Sequence, residues 1–124
     1  MRTISHLILL CSVSLLFQCS SSKTTSVNVA ETEETHELIV LDSGFNSWIA
    51  TQPSIEMYTY AFLKSKNAIF VSKYNSRVNN RLNYSADLYP QRIEYSATEE
   101  YDKELQYTLY NYFIYFQKKY NQRL

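Results

Sequence analysis

Few residues in this chain are equipped for chemistry. Histidine occurs twice, as His6 and His36, cysteine twice, as Cys11 and Cys19, and glycine once, as Gly44. A zinc or acid–base centre built on imidazole needs several convergent partners, and His36 has only Glu34 and Glu37 near it in sequence. It reads as a solvated linker residue. A single glycine cannot form a phosphate-cradling loop, and no serine occupies a G-x-S-x-G elbow. The acids Glu31, Glu33 and Glu34 lie in a polar stretch that cannot fix coordination geometry, so they read as solvation. One catalytic option is left, a carboxylate pair. Asp42 and Glu94 end and interrupt two segments of strand character, and they would approach each other if those strands paired. Such pairs serve as acid and base in hydrolysis. A turn acceptor and an exposed strand charge are the plainer roles. The expectation is therefore no catalytic, cofactor-binding or metal-binding residue, with a carboxylate-dependent hydrolase as the remote alternative.

Cys19 carries a different chemistry. Arg2 and the apolar run over 7–17 have the pattern of an export signal, and the run is too short to span a bilayer, which takes about 20 apolar residues. Leu16-Phe17-Gln18-Cys19-Ser20 resembles the lipobox of bacterial lipoproteins, whose cysteine is acylated after cleavage just before it. Leu16 matches that box, while Gln18 stands where a small residue is usual. Relaxed boxes of this kind are typical of Bacteroidota. The resemblance implies residues 1–18 as a lipoprotein signal peptide and Cys19 as the lipidated first residue of the mature chain. Cys11 would leave with the signal, so no thiol remains for a disulfide, a zinc ligand or a nucleophile. Residues 19–36, rich in Ser, Thr and Glu, read as a disordered tether, and residues 37–124 as a single globular domain.

The third group of candidates is aromatic. The chain holds twelve tyrosines, six phenylalanines and one tryptophan. Residues 98–124 contain no Gly or Pro, and Tyr101, Leu105, Leu109, Tyr112, Phe113, Phe116 and Tyr120 share one face at about 100° per residue. Ser96 with Glu99, or Thr98, would cap this helix, and Lys118, Lys119 and Arg123 suit its negative end. Opposite the apolar face, Tyr107, Tyr110 and Ile114 form a second stripe. Either the chain covers that stripe itself, or it is an interaction surface, which rigid amphipathic rings suit. Trp48 is the other candidate on such a surface.

These side chains need a frame. Residues 37–42 read as a strand running into the turn around Gly44, the best position for a positive φ. Residues 46–50 form a short helical turn bringing Trp48 and Ile49 inward. Residues 57–78 read as one long helix with Tyr60, Leu63, Phe70, Tyr74 and Val78 on one face. A rival reading breaks it at Asn67 and makes 68–72 a strand. Asn75-Ser76-Arg77 would cap its end, with Arg77 paired to an acid. Residues 88–95 alternate after Pro90 and read as a short edge strand. The fold class is α+β, helix-dominated: two long helices and a short turn helix packed on a small two-stranded ribbon, in the order β-α-α-β-α.

Glu37-Leu38-Ile39-Val40-Leu41-Asp42, Gly44-Phe45 with Ser47-Trp48, Asn75-Ser76-Arg77, and Leu109-Tyr110-Asn111-Tyr112-Phe113 through Tyr115-Phe116-Gln117-Lys118-Lys119-Tyr120 resemble a small uncharacterised lipoprotein family of Bacteroidota, a domain of unknown function. Ser43 stands where that family has proline. The resemblance implies the compartment and the domain limits and supplies no activity.

Lys plus Arg equals Asp plus Glu, twelve of each. No Lys/Arg stripe of the kind that tracks phosphates stands out, so nucleic acid is not expected as a partner. Ser20-Ser21-Ser22-Lys23 lacks the acids that follow the cysteine in surface-exposed lipoproteins of these organisms. By that analogy the location is the outer membrane, lipid-anchored and facing the periplasm. The expected function is non-catalytic binding or scaffolding of another envelope protein or glycan, without a cofactor. The alternative is a small-ligand or glycan-binding module that stacks its ligand on tyrosines and Trp48.

Overall fold

The computed structural model describes residues 27–32, 35–40 and 42–124, with side chains from Asp42 onward and at Val40. Strands β1 (Val27–Thr32) and β2 (Thr35–Val40) pair antiparallel, from Val27 opposite Val40 to Thr32 opposite Thr35. The pairing begins inside the stretch whose composition suggests a tether. Helix α1 (Phe45–Ile49), a single 3-10 turn (Ile55–Met57), α2 (Tyr60–Asn79) and α3 (Lys103–Lys119) follow. Helix α3 is the hub, packing against α2, α1, the 3-10 turn and β2.

The expected β-α-α-β-α ribbon does not form. From residue 42 onward the described chain is helical and contains no strand, so nothing pairs residues 37–42 with 88–95. The physical reason lies in Asn75. Its side-chain Nδ2 donates to the Ile93 carbonyl at 2.9 Å, and its Oδ1 accepts from the Ile93 N–H at 2.8 Å. One amide thus satisfies both backbone groups of a buried extended residue, as a neighbouring strand would. Arg81 donates to the carbonyls of Tyr89 and Pro90 in the same stretch. The segment between α2 and α3 is fixed by side chains, without a ladder.

Helix α2 is continuous through residues 68–72, so that region is not a strand. Ser54 accepts from the Glu56 N–H and caps only the 3-10 turn. Tyr58 and Thr59 are extended, and the Thr59 hydroxyl accepts from the Phe62 N–H, which starts α2 three residues later than expected. Asn67 does not break the helix. It is fully buried, donating to the carbonyl and to Oε1 of Gln106 at 2.8 and 2.7 Å.

Helix α3 also starts late. Asp102 Oδ1 accepts from the Leu105 N–H at 2.6 Å, whereas Ser96 and Thr98 belong to a separate turn. It ends at Lys119, because Asn121 adopts φ 49° and turns the chain back, with the Gln122 N–H donating to the Gln117 carbonyl. Leu124 is thereby buried. Of the face the periodicity implies, Leu105, Leu109, Tyr112, Phe113 and Phe116 are buried on α3, Tyr101 is buried just before it, and Tyr120 just after it is half-buried. Most of the core is rings. Tyr74, Tyr89 and Phe116 meet at centroid distances of 5.1 to 5.5 Å, tilted or edge to face, the arrangement the ring quadrupole favours.

Candidate functional site

Asp42 is the most constrained acid of the body. Lys119 Nζ lies 2.6 Å from Oδ2, while the Tyr115 hydroxyl and the Gly44 N–H each donate to Oδ1 at 3.0 Å. Burial works against its charge, yet hydrogen bonds from Lys119, Gly44 and Tyr115 outweigh it and hold the carboxyl below its ordinary range. The bond to Asp42 pushes the Lys119 ammonium up. Both partners are thus held charged over the physiological range. A carboxylate with both oxygens engaged offers no free base, and the strand pairing that would bring exposed Glu94 to it is absent. This cluster ties α1 to the end of α3.

Gly44 sits in the same cluster for a reason other than the one expected. Its φ is −83°, open to any residue. A Cβ there would lie 2.5 Å from the Tyr115 hydroxyl. The position excludes side chains because the ring that reaches Asp42 passes over it.

Tyr107 and Tyr110 belong to one connected set of rings. The Tyr107 hydroxyl donates to the Pro53 carbonyl at 2.8 Å, and its ring leans on Tyr58. The Tyr110 ring meets Tyr58, Phe62 and Phe70 at 5.5 to 6.2 Å. Tyr107, Tyr110 and Ile114 are therefore half-buried, and burial raises both tyrosine pKa values. The residues 53–62 that cover them leave apolar groups open instead: Met57 is 75% exposed, Phe62 40% and, two turns along α2, Ile69 46%. Lys66 Nζ lies 5.8 Å from the Phe62 ring. Trp48 stands apart, half-buried against Phe45 and Tyr115. Phe62 and Ile69 lie about two turns apart on α2, away from the face that carries Leu63, Tyr74 and Val78. That they form the open surface depends on where the 53–59 loop runs.

Arg77 also departs from expectation. Among the described residues its guanidinium pairs with no acid, donating to the Tyr89 hydroxyl, Gln122 Oε1 and the Arg123 carbonyl, and it stacks over Tyr84. Cys19 lies outside the described residues, as does the side chain of His36. Among the described residues no three His, Cys, Asp or Glu side chains converge, and no helix is long and apolar enough to cross a membrane.

No curated protein and no solved structure matches this sequence. A family model described as a family of unknown function, DUF6146, matches residues 1–124, and the chain belongs to that family.

Proposed function

We propose that the protein is a lipid-anchored, non-catalytic binding domain of the bacterial cell envelope, held through Cys19 and engaging another envelope protein through the Phe62–Ile69 face of α2. The observation that carries the binding reading is that face. Phe62 is held against Tyr58 and Tyr110, which interlock with Tyr107 and Phe70, and Met57 and Ile69 are open on either side of it in the chain, so an apolar surface is presented beside a rigid set of rings. The anchor rests on Leu16-Phe17-Gln18-Cys19 and the apolar run before it. The non-catalytic reading is supported by Asp42, whose oxygens are engaged by Lys119, Tyr115 and Gly44.

The anchor and the surface are tested separately. Cys19→Ser is expected to move the protein from the membrane to the soluble fraction of exporting cells, and continued sedimentation with membranes would refute the anchor. Site-specific photocrosslinking from position 62 is expected to yield one discrete adduct with an envelope protein. Position 82, where Leu82 is more open still but lies far along the chain, should yield none.

A further inference from the structure

The even overall charge conceals a segregation. Residues 57–86 contain Lys64, Lys66, Lys73, Arg77 and Arg81 and no Asp or Glu. Among the described residues Lys64 alone of them has an acid partner, Glu100 at 2.6 Å. Two concave grooves lie along the second half of α2. One, of about 490 Å³, has Ala68 and Val71 among its lining, with Ser72, Ser76, Asn79, Arg92 and Tyr95 around them. The other, of about 440 Å³, is edged by Lys73, Arg77, Tyr84 and Arg123. They share Ser72 and Ser76, one helical turn apart, so the serine ridge is a common wall. No carboxylate lines either groove.

The donors there are open. Ser72, Ser76, Lys73 and Arg92 form no side-chain hydrogen bond or ion pair among the described residues. The bordering rings are fixed: Tyr95 stacks on Tyr101 at 5.0 Å and 19° and donates to Gln106, while Tyr84 lies under the Arg77 guanidinium at 5.0 Å. Cations at both ends suit acidic groups, a hydroxyl wall between them suits sugar hydroxyls, and the fixed Tyr95 ring at the first groove suits a pyranose. A bare anion would use the cations alone.

We infer that these two grooves form one site for an acidic oligosaccharide, with Arg92 and Lys73 meeting its charged groups and Ser72 and Ser76 its hydroxyls. The site builds on the reading of the chain as a binding domain but uses a different part of α2 from Phe62 and Ile69 and does not depend on the anchor. The test is calorimetric titration of the chain, isolated from exporting cells in detergent micelles, with tetragalacturonate, its methyl ester and inorganic sulfate. Tetragalacturonate should bind, with the ester and sulfate weaker by about tenfold or more, the loss expected when charge-assisted bonds are removed. Arg92→Gln with Lys73→Gln should weaken binding by a similar factor, while Phe62→Ser leaves it unchanged. Equal binding of the ester or of sulfate, no binding of tetragalacturonate, or indifference to the double substitution would overturn the site. Loss with Phe62→Ser alone would do so too, by moving the ligand to the aromatic face.

Discussion

At the scale of single residues, the Asp42 cluster makes two measurable demands. Gly44→Ala keeps an accessible backbone but drives a methyl group into the Tyr115 hydroxyl, and such overpacking costs about 1–3 kcal/mol. Urea unfolding should show that loss, and adding Tyr115→Phe should recover part of it. A φ-driven cost would not respond to the second substitution. The other demand concerns pH. Asp42 is held below its ordinary value of 3.8, so it contributes stability above that value and loses it as pH falls through the folded-state pKa. Asp42→Asn should therefore be less stable than the native chain by about 1–2 kcal/mol at pH 7, with the gap closing toward pH 2. A gap that persists in acid would mean that the charge is not what matters. Asp42 itself was visible in the sequence as a turn acceptor. Its partners were not, because Lys119 and Tyr115 lie more than seventy residues away and reach it only once α3 is in place.

At the scale of elements, buried amides do what a second strand was expected to do. Removing Asn75 by Asn75→Ala would leave the Ile93 N–H and carbonyl buried without partners, at a cost of about 2–4 kcal/mol. Asn111→Ala, which loses only a bond to the Tyr107 carbonyl within its own helix, should cost less. Chemical denaturation of the two variants checks the order. Asn67 and Gln106 make a sharper case, since Asn67 Oδ1 and Gln106 Nε2 have no partner among the described residues. Asn67→Leu alone takes one of two donors from Gln106 Oε1, leaving the Tyr95 hydroxyl, and should cost about 1–3 kcal/mol, while adding Gln106→Leu should recover part of it. The face of α3 was legible because large apolar side chains repeat every three to four residues over five turns. The strand reading of 88–95 failed because alternation records which side chains are buried and not what pairs with the backbone between them. The late starts of α2 and α3 arose in the same way, since several Ser, Thr and Asp residues can cap and only packing selects Thr59 and Asp102.

At the scale of the whole molecule, the chain separates its surfaces by charge and polarity. Acids gather in residues 94–104 and cations along α2, while of the open apolar groups Met57, Phe62 and Ile69 lie between residues 57 and 69 and Leu82 beyond the end of α2. The sequence pointed to Tyr107 and Tyr110 as presented groups, yet loop 53–59 lies against them and the open groups are its own Met57 and, just beyond, Phe62. No local pattern could have reported that, because it depends on the Tyr107 hydroxyl meeting the Pro53 carbonyl fifty-four residues away. The two sets should separate on substitution. Tyr110→Ser removes contacts to Tyr58, Phe62 and Phe70, and a loss of about 1–3 kcal/mol corresponds to at least several degrees in melting temperature. The most direct measurement pairs that control with Phe62→Ser and Ile69→Ser together, read by melting temperature and by capture of the position-62 crosslinking partner. The double variant should lose less in melting temperature than Tyr110→Ser, since both side chains are open on one side, and lose the partner. A fall of many degrees would make Phe62 and Ile69 part of the core, and undiminished capture at native stability would show that this face binds nothing.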